Sequence, residues 1–186
     1  NTYIYAPKDD FKHRQQWREI YTQTELNSIK KIVEKCHENN ITFVYAIAPG
    51  FDISYSSKTD NNLLIAKINQ LKNIGANSLA LLFDDIPEKM NETDEKAFDS
   101  FAQAHAIISN KIFSETKLEN YFFCPTIYCS DQSNVSLNEN DYLFELSNLL
   151  HKEFNIFWTG PSVISPEITS KHVQELKKVF DHPIVI

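Results

Sequence analysis

"SLALLFDDIP", residues 78–87, drives a nearly unbroken apolar run into two adjacent carboxylates and then a proline. Apolar residues at almost every position are what a strand covered on both faces requires, and such burial belongs to parallel sheets flanked by helices. Neighbouring side chains on a regular strand point to opposite faces, so Asp84 and Asp85 can serve one cavity only where the strand ends. Ile86-Pro87 supplies that end.

Outward from this stretch the same unit recurs. On the N-terminal side, "ITFVYAIA" (41–48) is another continuous apolar run, closed by Pro49-Gly50, and "TYIYA" (2–6) reads as a strand followed by the polar "PKDDFKHR". Between them, Thr22 and Glu25 have capping-box spacing ahead of apolar Leu26, Ile29, Ile32 and Val33, which predicts a helix ending near Asn39. A second helix, near 60–74, carries Leu64, Ile68 and Leu71 and stops at Gly75. On the C-terminal side the pattern predicts helix 94–113, strand 121–124, helix 141–150, strand 156–159, helix 169–180 and strand 183–186.

Strict alternation of short buried strands with helices argues for an α/β fold with a parallel sheet, either an open doubly wound sheet or a (β/α)8 barrel. With three glycines in 186 residues and no GxGxxG or Walker pattern, the nucleotide-binding sheet is disfavoured. Almost every strand is instead followed by a polar or unusual cluster: Lys8-Asp9-Asp10, Pro49-Gly50, Asp84-Asp85, Pro125 to Tyr128, and Trp158 to Pro161. A ring of such clusters at strand C-terminal ends is how a TIM barrel builds its active site. The expected fold is therefore α/β, a (β/α)8 TIM barrel with about six of its eight strands in this chain.

Composition removes several function classes. The formal net charge of -7 and the scattered lysines and arginines give no footprint for nucleic acid. No apolar run approaches the length of a membrane span. Cys36, Cys124 and Cys129 form no CxxC pair, which fits reduced thiols in cytoplasm or nucleus better than a disulfide framework, and the sequons at Asn40, Asn91 and Asn134 carry little weight in that setting. The histidines show no metal-ligand spacing, and neither a metal nor a cofactor is expected. An Mg2+ held by the "KDD" and "FDD" carboxylates, as in phosphoryl transfer, is a distant alternative.

Two carboxyls held close raise one partner's pKa, leaving an acid beside an anion at neutral pH, a pairing suited to glycoside cleavage. In isolation an Asp-Asp pair is also a common loop or helix-cap sequence; its place after a buried strand favours chemistry.

Five ordered stretches, "NTYIYAPKDDFKHR", "FVYAIAPGFDISYS", "ALLFDDI", "FFCPTIYC" and "FWTGP", closely resemble the catalytic domain of glycoside hydrolase family 84, the animal O-GlcNAcases in particular. The resemblance spans nearly the whole chain, so residues 1–186 are expected to form a partial catalytic barrel lacking the first and last barrel strands, inactive by itself. It departs at Ile127 and Ser130, where animal relatives carry a more polar residue and a glycine.

The resemblance implies a retaining β-N-acetylglucosaminidase that removes O-linked GlcNAc from Ser and Thr of nuclear and cytosolic proteins. It implies a substrate-assisted route through an oxazoline, with Asp84 orienting the sugar's acetamido group and Asp85 acting as general acid and then base. Lys8 would bind the sugar and Tyr128 would donate to the developing oxazoline. Substrates would be O-GlcNAc-modified proteins or glycopeptides, with no nucleic-acid or membrane partner and the oligomeric state left open. The alternative is a non-catalytic carbohydrate- or protein-binding remnant of the same barrel. For Trp158 and Phe157, core packing is favoured over lining a cavity, and for Gly50 a plain turn is at least as good a reading as close approach to a ligand.

Overall fold

The computed structural model describes all of residues 1–186. Six strands, β1 (Thr2–Tyr5), β2 (Thr42–Ile47), β3 (Ser78–Leu82), β4 (Asn120–Cys124), β5 (Phe154–Phe157) and β6 (Ile184–Val185), pair in sequence order. Every pairing is parallel, with registers such as Ile4↔Val44, Ala46↔Ala80 and Leu81↔Phe123. A doubly wound sheet reverses its strand order at a switch point. This one never reverses, so the right-handed crossovers leave all helices on one side, and the sheet is a section of barrel wall.

The helices are α1 (Gln23–Glu38), α2 (Lys58–Lys72), α3 (Glu92–Glu95), α4 (Phe101–Thr116), α5 (Asp141–Leu149) and α6 (Ser170–Leu176). At the start of α1, Thr22 accepts from the Glu25 N–H while the Glu25 carboxylate accepts from the Thr22 N–H. Such a cap stabilises a helix by about 1 kcal/mol. The helix buries Leu26, Ile29, Val33 and Cys36, the apolar stripe read from its spacing. The chain leaves α2 at Lys72 and turns through Gly75, whose φ of 95° favours glycine.

Helix 94–113 is in fact two helices. Ser100 caps α4 by accepting from the Gln103 N–H, and Asn91 caps the short α3 by accepting from Thr93 and Asp94. Asp94 is fully buried, and it accepts from the Tyr55 and Ser56 N–H groups, from the Ser54 and Ser56 hydroxyls and from Asn91. Burial opposes its charge, but those donors outweigh burial and hold the carboxyl below the usual range. The interruption thus fixes the loop between β2 and α2. Similarly α6 stops at Leu176 rather than continuing to 180, and β5 begins at Phe154, earlier than the expected 156.

The core divides by strand parity. Phe43, Tyr45, Ile47, Leu79, Leu81, Phe123 and Ile156 pack against the helices in one large cluster. On the other face Val44, Ala46 and Ala80 form a small, fully buried layer edged by Leu82, Phe122 and Phe157, where the Phe122 and Phe157 rings stack at 5.4 Å. Both faces of β2 are therefore covered, as its continuous apolar run requires. Trp158 is a core residue whose indole N–H bonds His172 at 2.9 Å.

Candidate active site

Four loops meet at the C-terminal ends of β1 to β4. The first, after β1, carries Lys8 and is anchored through Asp10, whose carboxylate accepts from the Tyr5 hydroxyl (2.9 Å), the Tyr21 hydroxyl (2.7 Å) and the Lys12 N–H (2.9 Å). From beneath, the fully buried Lys67 donates to the Lys12 carbonyl at 2.5 Å and sits 4.9 Å from the Tyr21 ring centre. Burial pulls its ammonium pKa down to about 8. The same loop is tied sideways to the loop after β2, because Trp17 and Arg18 both donate to Asp52 and Arg18 also pairs with Asp60.

Gly50 lies on the second loop. A β-carbon there would stand 3.0 Å from the Asp85 carbonyl oxygen and 2.9 Å from an Ile86 methyl. The glycine is required by close approach of this chain's own backbone, which sequence alone left open against a plain turn. Gly50→Ala is expected to destabilise the fold by about 1–3 kcal/mol and to lower turnover, because the obstructing atom is backbone that carries the aspartate pair. Thermal unfolding and steady-state kinetics of the full-length protein check both effects.

The aspartates follow β3. Phe83 still donates its N–H to the Cys124 carbonyl, and then the ladder ends. Asp84 is half-buried and, with Lys8, Arg14, Ala48 and Leu82, lines a cleft of about 370 Å3 on the inner side of the sheet. Burial raises the Asp84 pKa and the Asp85 charge raises it further, with partial relief from its own backbone N–H and from Arg14. Asp85 is exposed and ion-paired with Arg14. This contact between residues 14 and 85 had no signal in the sequence, where Arg14 is one of several basic residues in a polar loop.

Tyr128 stands on the fourth loop. Its N–H donates to the Gln132 side chain at 2.8 Å, and its carbonyl accepts from the Thr159 N–H at 2.9 Å. Burial raises the phenol pKa, and so does the charge of Asp84. Cys124 answers to burial and to both aspartates in the same direction. The structure thus groups Lys8 with Asp84 in one cleft, joins Asp85 to it through Arg14, and places Tyr128 on the neighbouring loop. No group of three or more His, Cys, Asp or Glu is gathered as a metal cage. No helix is long and apolar enough to cross a membrane. A second hollow of about 400 Å3, between β1 and α1, contains none of the four predicted site residues.

Comparison with known proteins adds an independent line. The family described as beta-N-acetylglucosaminidase (NAGidase) matches residues 1–186. Protein O-GlcNAcase of Rattus norvegicus is 39% identical over 187 residues, and that of Mus musculus 38%; each alignment takes in 100% of this chain. The chain spans 20% of the length of each of these relatives. Among solved structures, a mutant of the O-GlcNAc hydrolase of Thermobaculum terrenum superposes with a TM-score of 0.91 at 35% identity, covering 99% of this chain and 40% of that one. A second, CpGH84B, gives 0.86 at 29% identity, covering 100% of this chain and 33% of its own.

Proposed function

Because the chain belongs to the beta-N-acetylglucosaminidase (NAGidase) family, we propose that it supplies the aspartate-bearing part of a retaining β-N-acetylglucosaminidase that removes O-linked GlcNAc from Ser and Thr of proteins. The observation that carries this reading is the Asp84-Asp85 turn itself. It lies at the C-terminal end of a barrel strand, beside a cleft shared by Asp84, Lys8 and Arg14. The names of the rat, mouse and Thermobaculum relatives support the O-linked substrate. A nuclear and cytoplasmic location belongs to the same reading and is supported by three free cysteines.

In the proposed reaction the sugar's acetamido oxygen attacks the anomeric carbon, forming a protonated oxazoline (oxazolinium) as the bond to the Ser or Thr oxygen breaks. Asp84 accepts a hydrogen bond from the acetamido N–H, and Tyr128 donates to the acetamido oxygen as charge develops. Asp85 delivers its proton to the departing oxygen. It then takes one from the water that opens the oxazoline, so the anomeric configuration is retained. Lys8 holds the sugar in the cleft.

In the structure the surroundings of the pair lean the other way. The Asp84 carboxyl is the one pushed toward its neutral form, and Asp85 is the one paired with a guanidinium. Two readings follow. In the first, an arriving acetamido N–H favours the Asp84 anion, while the leaving group takes the place of Arg14 and frees Asp85 to carry the proton. In the second, Asp84 is the acid.

The test of the activity is hydrolysis of a GlcNAc aryl β-glycoside and an O-GlcNAc peptide by the full-length protein, with and without EDTA. The β-anomer is expected as first product, with no loss to chelation; an inverted product or an EDTA-sensitive rate sinks the proposal. Tyr128→Phe is expected to cost up to about 100-fold in turnover with substrate affinity nearly unchanged, because its hydrogen bond strengthens only as charge develops.

A further inference from the structure

Beneath the aspartate pair, a chain of side-chain hydrogen bonds joins the loop of Tyr128 to the strand that presents Asp84. The hydroxyl of Thr126, two residues before Tyr128, donates at 2.8 Å to the carbonyl of Phe83, one residue before Asp84. The Thr126 N–H donates to the Tyr142 hydroxyl at 3.1 Å. That hydroxyl lies 3.1 Å from Nδ1 of His105, and Nε2 of the same ring lies 2.9 Å from the Tyr55 hydroxyl.

His105 is fully buried and stacks on the Phe83 ring at 4.3 Å. Burial holds its pKa down at about 3, so the ring is neutral and has one donor and one acceptor, matched to the two phenols. Tyr55 in turn is held by Asp94 through its N–H. The relay therefore reaches from the loop after β2, through α4 and α5, to the loop after β4. A core that needed only apolar filling would not place a threonine hydroxyl, two phenols and an imidazole in series.

We propose that Thr126, backed by Tyr142 and His105, is a positioning residue that sets the spacing between the Asp84-Asp85 turn and the Tyr128 loop. The inference rests on the hydrolase reading of that site. Its geometric content is separate: Thr126 is the one side chain that bonds the β4 loop directly to the Phe83 carbonyl. Losing the hydroxyl frees the tyrosine loop to drift, and a misplacement near 1 Å at a reacting group costs up to about 100-fold in rate.

The test compares Thr126→Val, which keeps the shape and loses the hydroxyl, with Thr126→Ser, which keeps the hydroxyl, in the full-length protein. Val is expected to lower kcat by about tenfold or more with little change in KM, and Ser to stay close to wild type. In a Tyr128→Phe background the same Val substitution should cost less than about twofold, since the group it positions is already lost. Equal losses in both backgrounds, or a defect that Ser does not repair, overturns the proposal.

A fluorotyrosine placed at position 128 reads the spacing without any turnover. Its 19F resonance should shift or broaden in the Val variant and not in the Ser variant, and an unmoved signal in Val refutes the relay. An inactive wild-type protein would count against the hydrolase reading alone, because the fluorine signal still decides the relay.

Discussion

Asp85→Asn in the full-length protein is expected to lower turnover on serine- and threonine-linked GlcNAc by about 100- to 10,000-fold, the range set by loss of a general acid. The same variant should keep much of its first-step rate on aryl glycosides whose phenolate needs little protonation. The damage should therefore grow with leaving-group pKa. Turnover across a series of substituted phenyl glycosides measures this directly. Because Asp85 is exposed and its partner Arg14 is exposed too, the substitution should leave the melting temperature almost unchanged. A steep leaving-group dependence in Asp84→Asn with a flat one in Asp85→Asn would establish the second reading, with Asp84 as the acid. Equal dependence in both would end the division of labour.

For Asp84→Asn the expectation is a loss on the order of 100- to 1,000-fold for easy and difficult leaving groups alike, because the acetamido group must be held before any bond to the aglycone breaks. Stability should move the other way. Burial first, then the Asp85 charge, raises the folded-state pKa of Asp84 above its ordinary value of 3.8. A carboxyl raised in this way is favourable to folding while protonated. Stability is lost as pH climbs from the unfolded value through the folded one, and the penalty persists above it. Asparagine carries no such penalty. The variant should melt higher than wild type at neutral pH, and the gap should close by about pH 3, where both states of the wild type are mostly protonated. Melting curves at the two pH values check the sign; a variant less stable at pH 7 than wild type would show that Asp84 is a structural anion.

Much of the barrel wall was legible because its strands announce themselves. "ITFVYAIA" and "SLALLF" have too many consecutive apolar residues for a sheet wetted on one face, and the structure covers both faces of β2. Boundaries were less legible where a polar side chain decides them. Helix 94–113 breaks because Ser100 caps a new start and Asp94 turns inward to bind another loop, and a buried aspartate is the opposite of what its composition leads one to expect.

At the site, Asp84 and Asp85 stood out because they follow a buried strand, and Lys8 and Tyr128 because the resemblance to glycoside hydrolase family 84 points to them. Arg14, Thr126 and His105 did not. Each acts through a contact far along the chain, with Asp85, with the Phe83 carbonyl and with Tyr142, and neither periodicity nor local spacing records such partners. The contrast between the two carboxyls was hidden for the same reason, since it depends on which one is buried and where one guanidinium falls.

Each strand of the sheet pairs only with strands adjacent to it in sequence. For the growing polypeptide this arrangement acts like a zipper: every new strand finds its partner already made, one helix back. Loop-closure entropy is then met in similar instalments, which raises the cost slowly and avoids a single long-range search. During synthesis the N-terminal strands can assemble before the last ones leave the ribosome. Until that assembly ends, the outer edges of β1 and β6 have no partner within residues 1–186, so intermediates expose the backbone groups through which strands recruit other chains. Mutations that slow strand addition should therefore appear first as lost soluble yield, before any change in the melting temperature of the protein that survives.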